Sequence, residues 1–309
     1  MSGKSGELSN TSENIREVEV EDPAFRKRFP FPHYVELAAM VPVLLAGQFM
    51  VILMLSTALL VMGRAIGRPL YADPTPYVLL VNPIAVFPVL AWCWWRKGGP
   101  FRAAFGFVRA PGGAVAAVVP FGLGTSLVVQ DLKHLIRVGL SALGLPQSFG
   151  LAEPDLTGAP TVTFIAVAVF GPLIEETLVR GGWLGGLLRQ GRGWGAVAAT
   201  SLVFGLVHLH PVQAPTAFVM GLALGWLFWR TRSLWPRFAA HAVHNAGLMT
   251  RTLARADVGQ ARATAGASSV FQPWWMDAAG LALILLGLAG VVWATRTREV
   301  CASDGESQV

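Results

Sequence analysis

The stretch AAMVPVLLAGQFMVILMLSTALLVMG, residues 38–63, decides the architecture. It carries no charged side chain, and a helix needs about 20 apolar residues to cross the hydrocarbon core of a bilayer. Lipid offers the backbone no water, so such a run must be a helix whose N–H and C=O groups bond within the segment. Working outward, seven further apolar runs follow at 77–95, 113–130, 161–179, 194–210, 213–229, 237–252 and 273–295. Together they predict an all-α fold, a polytopic integral membrane bundle of about eight transmembrane helices over residues 34–295. Residues 1–33 read as a disordered tail. They hold Glu17, Glu19, Glu21 and Asp22 and lack the apolar core of a signal peptide. The more polar segment 131–158 predicts an amphipathic helix lying on the surface. Residues 253–272 read as a polar loop and 296–309 as a hydrophilic C-terminal tail.

Composition points the same way. Of the 309 residues, 53% are hydrophobic and 14% are charged, whereas a soluble domain carries about a quarter charged residues. The net charge of +6 would suggest nucleic acid in a soluble protein. Here the basic residues lie between apolar runs, so they speak for topology, and no nucleic-acid partner is expected. With the N-terminus inside, 17 of the 24 basic residues fall in cytoplasmic segments and 7 in outer ones. That bias predicts a multi-pass protein of the cell membrane with both termini cytoplasmic. The two cysteines, Cys93 in an apolar run and Cys301 in the tail, support neither a disulfide framework nor a CxxC metal site. Gly181/Gly185, Gly182/Gly186 and Gly221/Gly225 have the small-xxx-small spacing that lets helices approach closely in lipid.

The informative residues are polar groups inside apolar runs, because a charge at the bilayer centre costs about 2.5–3.5 kcal/mol on insertion scales. Glu175 and Glu176 close one such run. Glu176 and Arg180 stand four apart, share a helix face and can pair. Glu175 is turned about 100° away, which leaves it without a local partner. In a poorly solvated cavity it would suit general-base work, although a charged cap at a membrane boundary would look the same. Phe204 and His208 share a second face, while His210 stands beside the helix-breaking Pro211 at an interface. His241 and Asn245 share a third face, where they could hold a water, bind a metal, stabilise an oxyanion or simply join helices. His244 lies off that face and reads as a packing residue. Together the clusters supply a base, an imidazole and an oxyanion-type pair on three helices.

Glu175-Glu176-x-x-x-Arg180, Phe204-x-x-x-His208 and His241-x-x-x-Asn245 resemble, in order and approximate separation, the three motifs of the CPBP intramembrane protease family. This family is also called Abi and includes the type II CAAX prenyl endopeptidases. The resemblance covers roughly residues 161–250. It implies an eight-helix bundle with the catalytic site in a membrane-embedded cavity. By position it implies Glu175 as the general base and His208 as a residue that orients the water or binds a metal. His241 and Asn245 would position the scissile carbonyl and stabilise the oxyanion, with Glu176, Arg180 and Phe204 in support.

Substrates would be peptides or membrane proteins, lipidated or not, met at the lipid bilayer. Two chemistries stay open: a divalent metal such as zinc, held by His208 and His241 with a glutamate, and metal-free, glutamate-driven hydrolysis. The HExxH signature of zinc proteases, a GxSxG serine motif and a pair of intramembrane aspartates are all missing. A non-catalytic scaffold or immunity-type protein of the same fold is the alternative, and a transporter is a third reading that lacks inverted-repeat symmetry. One expectation does not close on itself. These spans put Glu175 and His241 near the cytoplasmic side and His208 near the outer end. Running the fourth span on to about Arg189 would reduce the mismatch.

Overall fold

Tyr34–Ile66 folds as one helix of 33 residues, α1. It opens on a capping box, in which the His33 ring accepts from Val35 N–H and the Glu36 carboxylate from His33 N–H. It closes on Gly67, whose φ of 70° is left-handed and suits a residue without Cβ. The computed structural model describes residues 31–70, 75–147, 160–262 and 271–306. After α1 come α2 (Thr75–Lys97), the single turn α3 (Phe101–Ala104), α4 (Ala114–Ala142) and α5 (Pro160–Arg189). The chain continues through α6 (Gly193–Leu206), α7 (Gln213–Thr231), α8 (Leu234–Arg262) and α9 (Trp274–Glu306). No strand occurs among the described residues. The fold is an all-α membrane helical bundle.

Among the described residues, seven long helices and the shorter α6 thus stand where eight apolar runs were expected. Four of them, α1, α4, α5 and α9 up to Arg296, are individually long and apolar enough to cross a membrane among the described residues. α6 is apolar but short, at 14 residues. The outer faces suit lipid: Phe49, Met54 and Val61 on α1 and Leu285, Leu286 and Trp293 on α9 are all exposed.

Several boundaries differ from the sequence expectation. The helix begun at 114 does not give way at 131 to a separate surface helix but continues to Ala142. Its polar groups are used inside the bundle: the Asp131 carboxylate accepts from Gln272 N–H at 3.1 Å, and Lys133 lines an internal cavity. Gln272 also donates to Leu127 O and Asp277 and accepts from Arg251, so it ties α4, α8 and α9 together. α8 continues through Arg262 into the expected polar loop, and α9 runs to Glu306 through most of the expected tail. At the N-terminal side Phe31 is already buried, in a core with Leu37, Cys93 and Trp183. The expected tail over 1–30 and the segment 148–159 lie outside the described residues.

Close helix approach sets the packing. α8 and α9 both lie on α4, α6 pairs with α7, and α1 pairs with α2. A Cβ on Gly221 would stand 2.9 Å from Ser201 Cβ, and one on Gly225 2.8 Å from Val197 Cγ1, so the two α7 glycines admit α6. A Cβ on Gly181 would stand 2.7 Å from Phe105 O, and Gly186 lies against Phe31 O. The small-residue spacing is therefore used for contact.

Candidate active site

α5 carries the two glutamates, and its backbone is not regular there. Two π-helical stretches, Ala166–Phe170 and Thr177–Leu184, flank a short α-helical piece, Gly171–Glu176. Pro172 accounts for the first. It has no N–H to give to Ala168 O, and its ring crowds that carbonyl. The helix widens by one residue instead, so Gly171 N–H reaches back to Ala166 O. The carbonyl of Val167, in this widened turn, accepts from Asn245 Nδ2 at 2.9 Å. Asn245 thereby pins α8 to the irregular part of α5.

Glu176 and Arg180 pair as the spacing predicted, Arg180 Nη1 donating to Glu176 Oε1 at 2.8 Å with both side chains buried. The same oxygen accepts from His241 Nδ1 at 3.0 Å. Arg237 Nε lies 3.5 Å from Glu176 Oε2, an ion pair without hydrogen-bond geometry. One carboxylate therefore faces two guanidinium groups and an imidazole at zero exposure. Arg180 also donates to Gly221 O and lies over the Phe204 ring at 4.5 Å. Arg237 donates to Ser233 O and Phe105 O and lies over Phe228 at 3.9 Å.

His241 joins the two glutamates. Its Nδ1 gives its hydrogen to Glu176, which leaves Nε2 turned to Glu175 Oε2 at 3.8 Å. That gap is too long for a direct hydrogen bond and fits a contact bridged by water. Glu175 is 27% exposed where Glu176 is at 0%, so Glu175 is the reachable carboxylate. The His208 ring stands edge-on to Phe204 with centroids 4.9 Å apart, and His241 does the same from another side at 5.9 Å. His208 Nδ1 donates to Phe204 O at 2.6 Å, which leaves its Nε2 as the acceptor. His208, His241, Asn245 and Phe204 all line one cavity of about 60 Å³.

The expected depth mismatch closes here. α5 does run on to Arg189, so Glu175 sits near its middle. α8 starts within the protein, where Leu234 N–H bonds Gly106 O at 2.7 Å and Ser233 Oγ bonds Val108 O. His241 thereby comes to the cavity that His208 also lines, both rings standing edge-on to Phe204.

Every sequence-predicted site residue belongs to this cluster, and His244 packs as expected, its Nδ1 2.9 Å from Thr125 Oγ1 on α4. Arg237 was missed as a site residue, being counted with Arg180 among cytoplasmic basic residues. The excess on that side remains without both. The signal was present in the spacing, since 237, 241 and 245 fall on one helix face. Lys133, which lines the same cavity, stands in a polar segment that read as surface.

The donor set does not fit the expected metal site. His208 and His241 both face the cavity, yet among the described residues no three His, Cys, Asp or Glu side chains are grouped to hold an ion. Catalytic zinc ordinarily takes three protein ligands.

Fold and cluster together define a membrane-embedded helical bundle built around a buried carboxylate–histidine centre. Residues 157–247, which contain all three motifs, match the family described as Type II CAAX prenyl endopeptidase Rce1-like. The chain is also 28% identical over 124 residues to a Bacillus subtilis (strain 168) protein named "Putative membrane peptidase YdiL". That similarity covers 40% of this chain and 51% of the relative, so the chain spans about half the length of the curated relative it matches. No solved structure matches the chain. The resemblance to the CPBP family is borne out over the segment that holds the site.

Proposed function

We propose that the protein is an intramembrane endopeptidase that hydrolyses peptide bonds with a water activated by Glu175. The single observation that carries this reading is the Glu176–His241–Glu175 chain. A buried carboxylate accepts from one ring nitrogen at 3.0 Å while the other nitrogen faces a second, reachable carboxylate at 3.8 Å. Glu176, held by Arg180 and Arg237, keeps the His241 tautomer with Nε2 unprotonated toward Glu175.

A water bridging Glu175 and His241 gives its proton to the Glu175 carboxylate as its oxygen attacks the scissile carbonyl. The bond to the leaving nitrogen breaks as the tetrahedral intermediate collapses, and that nitrogen takes the proton from Glu175. His208 lines the same cavity as His241, with its Nε2 a further acceptor there. Asn245 has a second amide hydrogen beyond the one given to Val167 O, and this hydrogen serves the carbonyl oxygen. His241, flanked by carboxylates, serves the proton path better than the oxyanion.

The donor set favours metal-free chemistry. Substrates are peptides or membrane-protein segments, prenylated or otherwise lipidated ends among them, met in the lipid bilayer. The charge bias favours both termini on the cytoplasmic side. The test is cleavage of a library of such peptides by purified protein, comparing wild type with Glu175→Ala. Loss of cleavage in the variant is expected, and equal cleavage would sink the mechanism.

A further inference from the structure

A groove of about 780 Å³ lies between α3, the turn that follows it, the first turns of α4 and the start of α8. It shares no lining residue with the cavity of His208, His241 and Asn245. Arg102 and Arg109 line it, and both are exposed. No carboxylate stands among the described residues around it, so neither charge is neutralised within the groove. A guanidinium presents a planar fork of donors that matches a pair of phosphate oxygens.

The rest of the lining is apolar and belongs to the membrane boundary. Val115 and Val119 are four apart on α4, so they share a face, and both are exposed. They stand in the first two turns of a helix long and apolar enough to cross a membrane. Phe107 and Trp235 line the groove as an edge-to-face pair, with centroids 5.8 Å apart. Tryptophan is enriched where a membrane protein meets the headgroups. The walls are tied together within the protein itself. Leu234 N–H bonds Gly106 O, Ser233 Oγ donates to Val108 O, and Lys97 Nζ donates to Ala104 O at 2.6 Å. A free anion would use the arginines alone. Two unpaired cations beside exposed valines on a spanning helix suit a ligand that is anionic at one end and hydrocarbon at the other.

We propose that this groove is a binding site for an anionic phospholipid, its phosphate held by Arg102 and Arg109 and an acyl chain laid against Val115 and Val119. The site stands apart from the endopeptidase reading and does not depend on it.

The test loads full-length protein, purified in an uncharged detergent, with equal amounts of phosphatidylglycerol and phosphatidylcholine. Native mass spectrometry then reads which lipid is retained. Wild type should keep phosphatidylglycerol at least tenfold over phosphatidylcholine, since each arginine near an anionic lipid contributes about fivefold. The double variant Arg102→Gln/Arg109→Gln should bring the ratio within about threefold of unity. If that variant does not melt like wild type, Arg109→Gln alone must lower the ratio at least threefold. Arg64→Gln/Arg68→Gln removes two exposed arginines outside the groove and should keep the wild-type ratio. An equal loss in this control would reduce the effect to net charge and overturn the proposal. Equal retention of the two lipids by wild type would do the same. Inorganic phosphate or glycerol phosphate in millimolar excess should leave the ratio unchanged, and release of the lipid by either would assign the groove to a free anion instead.

Discussion

Glu175 and Glu176 are neighbours in sequence and opposites in environment. Glu176 is sealed at zero exposure between Arg180, Arg237 and His241. Removing it strands two buried guanidinium groups, and breaking a buried ion pair ordinarily costs about 3–5 kcal/mol. Glu176→Leu should therefore unfold the protein or lower its melting temperature sharply in detergent, as followed by tryptophan fluorescence. Glu175 has no such duty. Glu175→Gln should melt like wild type yet lose about 100- to 10,000-fold in kcat, the range of a general base. Arg237→Met separates the two roles differently, since Arg180 still holds Glu176. It should retain the fold with reduced stability, and activity should fall as the hold on Glu176, and through it on His241, loosens. The pairing of Glu176 with Arg180 was legible from i, i+4 spacing alone. The pairing with Arg237 was not, because it spans two helices and depends on how α8 enters the bundle.

At the scale of the element, α5 is unusual for keeping two π-helical stretches around its glutamates. Pro172 enforces the first. Pro172→Ala restores an N–H at this position and should let the turn relax toward regular α geometry. That would rotate Glu175 about the axis relative to α8. Activity should drop with little loss of melting temperature, and the amide introduced at position 172 should exchange slowly as it bonds Ala168 O. Asn245→Leu removes the other constraint. It leaves Val167 O without its partner, a loss of about 1–3 kcal/mol for a buried acceptor. Equal melting of this variant and wild type would contradict the role given to the α5–α8 tie. In α7, Gly221→Leu should block the approach of α6, because Ser201 already stands 2.9 Å from the position of a Cβ. Small-xxx-small spacing marked this glycine in the sequence, but only the helix pair shows which neighbour it admits.

At the scale of the whole molecule, the bundle exposes apolar faces on α1 and α9 and buries Glu176, Arg180 and Arg237 in its interior. A chelator such as EDTA should leave kcat unchanged, since no three ligands converge among the described residues. Activity lost on chelation and restored by zinc would overturn the metal-free reading.

The sequence by itself determined that the chain is an all-α membrane bundle, because lipid leaves an apolar run no other way to satisfy its backbone. It also determined which polar residues are out of place, because a charge in an apolar run carries a cost whatever its partner. What those residues face was decided only by the tertiary structure. Spacing speaks for one helix at a time, whereas the site draws on α4, α5, α6 and α8. Their relative depth depends on contacts between segments far apart in the chain: Leu234 on Gly106, Asn245 on Val167, His241 on Glu176. For that reason Lys133 reads as surface in the sequence and lines the cavity in the fold.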